Sequence, residues 1–169
     1  RDAGFRVAIL LRGYRRQKRL SPIAVVSDGQ EILLSTAESG DEAQMIAKAT
    51  PGVPVLVGKD RYGAGLEAIR RWGVQVVILD DGFQYRQLAR EMDIVTVDGT
   101  QAFGTGRLLP AGTLREPLSA LRRADAILLT RMNIVKARGD KAPTAVRAAI
   151  EKYVKAEQIG ESCHQSTTL

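Results

Sequence analysis

Two carboxylates stand side by side at Asp80 and Asp81, where the apolar run 76–79, with Val74 just before it, gives way to Gly82. An apolar strand that ends in carboxylate is how nucleotide-dependent phosphotransferases hold Mg²⁺, directly or through water. Adjacent carboxylates repel, so keeping both ionised favours a cation beside them. Asp and Gly are also ordinary turn formers after strands, and the pattern alone leaves that reading open. A third acid, Asp41, follows Gly40 in the first turn of an expected helix. A carboxylate there complements the helix dipole with no further role, which is the simpler reading; aimed into a cleft, it is a general base.

Other chemistry is absent from the sequence. A phosphate-cradling loop of the form G-x-x-x-x-G-K-[ST] does not occur, and Gly58-Lys59-Asp60 has the wrong third residue and upstream spacing. Neither "GFQYRQ" nor "FGTGRLLPAG" is a G-x-G-x-x-G motif opening a helix. With one histidine, His164, a His-based metal site is not expected. With one cysteine, Cys163, there is no internal disulfide, which fits a reducing compartment.

The elements that must position the acids can be read from periodicity. Apolar runs predict strands over 5–11, 23–26, 32–34, 53–57, 74–79, 93–97 and 126–129. Asp28-Gly29 marks a hairpin turn between the second and third. Helices are predicted up to 49, with Ser39 as N-cap and Glu42 three residues on, and over 61–72, 84–92, 114–123 and 143–156. Gly73 suits a C-terminal cap, and Thr50-Pro51-Gly52 a stop. Strands alternating with helices imply an α/β fold, a mostly parallel sheet flanked by helices. Runs such as "VVIL" and "AILLT" suit a sheet covered on both faces. Ligands then bind at the carboxyl ends of the strands. That places Arg12-Gly13-Tyr14, Asp80-Asp81-Gly82 and Asp98-Gly99 at one expected rim.

The 169 residues, 44% hydrophobic, suit one domain with a core of its own. Residues 136–142 mark the one candidate boundary, between a domain over 1–135 and a charged helix with a frayed tail over 136–169. The longest apolar run, 7–11, falls far below the roughly 20 residues a membrane-spanning helix needs. The chain starts at Arg1 rather than Met and shows no signal peptide, so a fragment is expected. Net charge is +6, and the first twenty residues hold seven bases (Arg1, Arg6, Arg12, Arg15, Arg16, Lys18, Arg19) against Asp2 alone. Such a cluster meets anionic lipid, a phosphorylated substrate or nucleic acid, or is simply a solvated face. Aromatics at 5% and no aromatic-basic interleaving weigh against single-stranded nucleic acid.

Five segments, taken together, resemble one family, the tetraacyldisaccharide 4'-kinases, or lipid A 4'-kinases, of Gram-negative bacteria. They are "VAILLRGYRR", "SGDEAQMIAK", "VPVLVGKDR", "VVILDDGFQYRQLAREMDIVTVDG" and "FGTGRLLPAGTLREPLSALRRADAILLTR", spread over about residues 5–131. The specificity lies in the combination, above all "LDDGFQ" followed by "GRLLPAG-LREP". The resemblance implies a fold similar to P-loop kinases, with the phosphate loop expected upstream of Arg1. It implies transfer of the ATP γ-phosphate to the 4'-hydroxyl of a tetraacyldisaccharide 1-phosphate, with Mg²⁺. By the same resemblance Asp41 is the catalytic base, Asp80 and Asp81 lie at the metal, and Glu116 of "LREP" is a further metal-site acid. Arg12, Gly13, Tyr14, Gln84, Arg107 and Arg115 are expected at the substrate, with Arg61 a further base that could hold phosphate. Implied partners are the lipid substrate and an anionic membrane surface at the cytoplasmic face of the Gram-negative inner membrane, with no nucleic acid.

Three positions depart from the family's usual residues: Tyr85 for His, Thr105 for Asn and Thr113 for Pro. Tyr85 keeps a hydrogen-bonding group but not an imidazole that titrates near neutrality. The part of the family that carries a His partner for the base is not matched, and His164 is left unassigned. The resemblance fades beyond about residue 132. These 169 residues alone are expected to lack kinase activity, for want of the phosphate loop. Two other readings are a P-loop-class enzyme with a different acceptor, which leaves "GRLLPAG-LREP" unexplained, and a basic module that binds any polyanion salt-sensitively.

Overall fold

A computed structural model of the protein describes residues 4–14, 21–137 and 142–163. The bases Arg1, Arg15, Arg16, Lys18 and Arg19, the centre of the candidate boundary, His164 and the tail after Cys163 lie outside the described residues. The chain forms two compact units, Arg1–Leu88 and Ala89–Leu169.

In the first unit, β1 (Val7–Leu11), β2 (Ile23–Ser27), β3 (Val55–Gly58) and β4 (Val76–Leu79) form one sheet in the order β2-β3-β1-β4. β1 lies between two parallel partners, and β2 runs antiparallel on the outside of β3. Side chains alternate along β1. Ile9 and Leu11 pack with Val26, Val55, Val57, Ala43 and Ala47 on one face. Ala8 and Leu10 pack with Leu56, Ala64, Ala68 and Val74 on the other. The first face is closed by α2 (Asp41–Ala49) and the second by α3 (Arg61–Trp72).

α3 forms as expected. The Asp60 carboxylate accepts from the Gly63 N–H at its start, and Gly73 ends it in the left-handed region at φ 58. The start of α2 differs from expectation. The serine-glutamate spacing that marks a helix start is used by Ser35 and Glu38, which open a short α1 (Thr36–Ser39). Ser39 ends that turn, and Gly40 at φ 88 is the N-cap of α2.

The predicted hairpin keeps its turn, where the Asp28 carboxylate accepts from the Gln30 and Glu31 N–H groups. Its second strand is reduced to a single bridge between Ser27 and Ile32. No helix forms over 84–92. A helix that short is marginal without a face to bury, and Met92 is 61% exposed.

In the second unit β5 (Ile94–Asp98), β6 (Ala126–Thr130) and β7 (Ile159–Glu161) form a parallel sheet in that order. Its buried side chains include Ile127 and Leu129 of β6, with Met132 and Val135 of α4 (Met132–Ala137) and Val146 and Ile150 of α5 (Ala142–Ile150). The helix expected over 114–123 is a 3₁₀ turn, Leu118–Arg123. The residues before it are tied up in a loop, where Leu109 and Leu114 donate to the Leu114 and Arg107 carbonyls and Pro117 precedes the turn. α5 stops at Ile150, whose carbonyl accepts from both Tyr153 and Val154 N–H groups. β7 has no counterpart among the predicted strands.

The expected α/β class, mostly parallel sheet flanked by helices, is what the structure has. It differs in one respect. The described strands form two sheets rather than one, and β4 and β5 are not paired. The "VVIL" strand is not covered on both faces in this chain either, since Val76 is 39% and Ile78 50% exposed.

Leu56, in the middle of β3, is fully buried. Leu56→Ala is expected to cost about 2–5 kcal/mol of stability, read as a lower urea midpoint at an unchanged slope.

Candidate active site

Because β3 and β4 both run parallel to β1, the carboxyl ends of the three strands meet at one rim. Arg12, Gly13 and Tyr14 come directly after β1, and Asp80 and Asp81 directly after β4. The start of α2 meets the same rim. A Cβ on Gly40 would sit 2.9 Å from the Tyr14 carbonyl oxygen, and φ 88 is itself a glycine conformation. The residue before Asp41 is therefore pressed against the Arg12-Gly13-Tyr14 segment.

The acids converge at this point. Burial, and then the charges of Asp80 and Asp81, hold the Glu42 carboxyl above its usual range. Asp81 adopts a left-handed φ of 49, which Asp tolerates better than most residues. The Asp80 N–H is fixed by the Leu10 carbonyl at 3.0 Å, which extends the β1–β4 ladder to the acidic turn. Asp41 begins α2 and is exposed, and its carboxylate has no hydrogen-bond or ion-pair partner among the described residues. Gln84 is exposed in the next turn of the chain, its carbonyl accepting from the Arg86 N–H.

Two residues were missed or misjudged in the sequence. Glu42 carries the clearest carboxyl perturbation of the group, and its only signal was its place beside Asp41 in "GDE". Arg61, expected as a phosphate holder, is 2% exposed, and its guanidinium donates to the Gly58 and Asp80 carbonyls.

The remaining site residues lie in the second unit. Arg107 and Arg115 are exposed, and the Arg107 carbonyl accepts from the Leu114 N–H. Glu116 pairs with Arg123 at 2.6 Å. Asp98, expected on the rim with Asp80, ends β5 in the other sheet and pairs with Arg131 at 2.7 Å. Its carboxyl is held below the usual range by the Thr100 hydroxyl, the Thr100 N–H and Arg131.

Among the described residues no group of three or more His, Cys, Asp or Glu side chains is placed to hold a metal ion. Mg²⁺ does not need one, since it keeps several waters and takes one or two carboxylates beside substrate phosphates. Asp80 and Asp81 are hard oxygen donors whose charges already raise a neighbouring carboxyl, and they fit such an ion.

An α/β fold with carboxylates gathered where its parallel strands end is the setting of nucleotide-dependent enzymes. Comparison with known proteins narrows this. The family model for tetraacyldisaccharide-1-P 4'-kinase matches residues 1–168, beyond the reach of the quoted motifs. A tetraacyldisaccharide 4'-kinase of Syntrophus aciditrophicus is 44% identical over 172 residues, covering 100% of this chain and 46% of that protein. One of Halothermothrix orenii is 49% identical over 126 residues, 75% of this chain and 33% of the relative. The crystal structure of the "apo" form of LpxK from Aquifex aeolicus in complex with ATP superposes with a TM-score of 0.71 at 42% identity, over 78% of this chain and 41% of that one. The chain belongs to the tetraacyldisaccharide-1-P 4'-kinase family. It spans less than half the length of these relatives.

Two outcomes test these placements. Replacing Asp80 and Asp81 together by Asn removes two charges facing Glu42. The Glu42 titration midpoint, followed by carboxyl ¹³C NMR, is then expected to fall toward the ordinary glutamate value. For Asp98 the folded carboxyl titrates below the unfolded one, so its stabilisation is present above the ordinary aspartate range and lost as pH falls. Asp98→Asn is expected to flatten the loss of thermal stability between about pH 5 and 2.

Proposed function

We propose that the protein to which this chain belongs transfers the γ-phosphate of ATP to the 4'-hydroxyl of a tetraacyldisaccharide 1-phosphate. The observation that carries this is the family match over residues 1–168. The gathering of the "RGY", "GDE" and "LDDG" segments at one rim supports it. A sugar hydroxyl is a poor nucleophile, and a carboxylate within hydrogen-bond reach takes its proton as attack proceeds. We assign that role to Asp41, whose carboxylate is exposed at the start of α2 and has no partner among the described residues. The hydroxyl oxygen bonds to the γ-phosphorus, the bond to the β-phosphate oxygen breaks, and ADP departs.

Asp80 and Asp81 would hold Mg²⁺, which when bound neutralises charge on the phosphates. Arg12, Gly13, Tyr14 and Gln84 would line the substrate on the first unit. Arg107 and Arg115 would meet phosphate on the second, where Glu116 presents its pair with Arg123 rather than a lone carboxylate. No helix among the described residues is long and apolar enough to cross a membrane. The basic cluster of the first twenty residues would instead meet anionic lipid at the cytoplasmic face of the inner membrane, at about 1 kcal/mol per charge near the surface.

The complete gene product that contains this chain is expected to label the lipid from γ-³²P-ATP. Asp41→Asn is expected to lower kcat about 10²–10⁴-fold with KM little changed. Equal turnover by Asp41→Asn sinks the assignment of the base. Transfer by the 169 residues alone, which contain no G-x-x-x-x-G-K-[ST] loop, overturns the expectation that they lack kinase activity.

A further inference from the structure

Arg61, the first residue of α3, is a buried cation beside the acidic turn. Its hydrogen bonds run to main-chain oxygens. Nη1 donates to the Gly58 carbonyl at 3.1 Å and Nη2 to the Asp80 carbonyl at 3.3 Å. Nε has no partner among the described residues. The Tyr85 ring lies 5.8 Å from the guanidinium carbon, near enough for a cation–π contact. Burial, then the Arg12 charge, lower the Arg61 pKa, while Tyr85, Asp81 and Asp80 oppose the shift. Arginine nonetheless stays protonated in proteins.

The place of the two carbonyls gives the contact its meaning. Gly58 ends β3 and Asp80 comes just after β4, and in the sheet these strands flank β1. The guanidinium therefore ties the strand ends on either side of β1 to each other. The held Asp80 oxygen belongs to the peptide between Asp80 and Asp81. The orientation of that peptide is coupled to the left-handed φ of 49 at Asp81. Burying a guanidinium is costly, and an apolar side chain of similar volume often serves stability as well or better. What an apolar side chain lacks is a rigid fork of donors that reaches two acceptors at once. At 2% exposure Arg61 is also poorly placed to meet a phosphate itself.

We propose that Arg61 is a positioning residue of the phosphoryl-transfer site, which sets the direction of the Asp80 and Asp81 carboxylates by bridging the ends of β3 and β4. The kinetic part of this inference rests on the kinase reading above; the bridge itself does not.

The test compares Arg61→Met and Arg61→Lys with wild type in the complete gene product. Arg61→Met is expected to lower kcat per folded molecule about 10–100-fold, in the range of a small misplacement of catalytic groups, with KM for ATP and lipid within about threefold. Arg61→Lys, which keeps the charge but reaches one carbonyl at a time, is expected to recover part of the loss. Hydrogen exchange in both variants should quicken at the Asp80 and Tyr85 amides, which pair with Leu10 and Gly82, and stay unchanged at Leu56 and Ala68. A rise in KM for ATP or lipid at constant kcat would show Arg61 touching substrate and overturn the proposal. So would activity lost only in proportion to the unfolded fraction, with exchange quickened throughout the first unit. If Arg61→Met does not fold, Arg61→Lys decides by the same readings. If the wild type transfers no phosphate, the kinase reading fails separately and the exchange pattern alone judges the bridge.

Discussion

Parallel pairing of β1 with both β3 and β4 is the constraint on which the first unit depends. Parallel strands need helical crossovers, and those crossovers cover both faces of β1. Ala8 and Leu10 consequently face α3, while Ile9 and Leu11 face α2, and all four are buried. The same pairing points three carboxyl ends one way. Polar groups that could not sit among those apolar side chains are collected where the strands stop. The core and the site are thus one arrangement seen at its middle and at its rim.

Charge at that rim is arranged against its own repulsion. Burial, and then Asp80 and Asp81, push up the Glu42 carboxyl; burial, and then Arg12, push down Arg61. Like charges brought together under partial burial cost stability. That cost falls once opposite charge arrives. Carboxylates with their own repulsion built in suit a divalent cation, and a guanidinium such as Arg12, exposed after β1, suits a phosphate.

Legibility in the sequence tracked burial. β1, β3 and α3 were read within a residue or two, because apolar runs and the Gly73 cap agree with the packing that forms, while the Asp60 cap was not read. Ser39 misled because Ser35 and Glu38 carry a serine-glutamate spacing one turn earlier, and Gly40 breaks the chain between the two helices. Residues 84–92 have helical periodicity, but Met92 stays exposed and local turns win. β7, the three residues "IGE", is defined by pairing with β6 and has no pattern of its own. The acids of the site were visible as motifs. That Glu42 feels Asp80 and Asp81 was not, because it depends on how α2 meets β4 across 38 positions of chain, from 42 to 80.

Position 85 shows how one departure from the family's usual residue bears on the whole. A tyrosine ring beside the buried Arg61 attracts the guanidinium by about 0.5–2 kcal/mol. An imidazole in its place titrates near neutrality, and once protonated it would add a cation beside a guanidinium already opposed by Arg12. Tyr85 thus places an attractive aromatic face, with no added cation, beside Arg61. The bridge from β3 to β4, and the direction of the carboxylates that hang from it, then rest on two main-chain contacts that the ring at position 85 supports from the side.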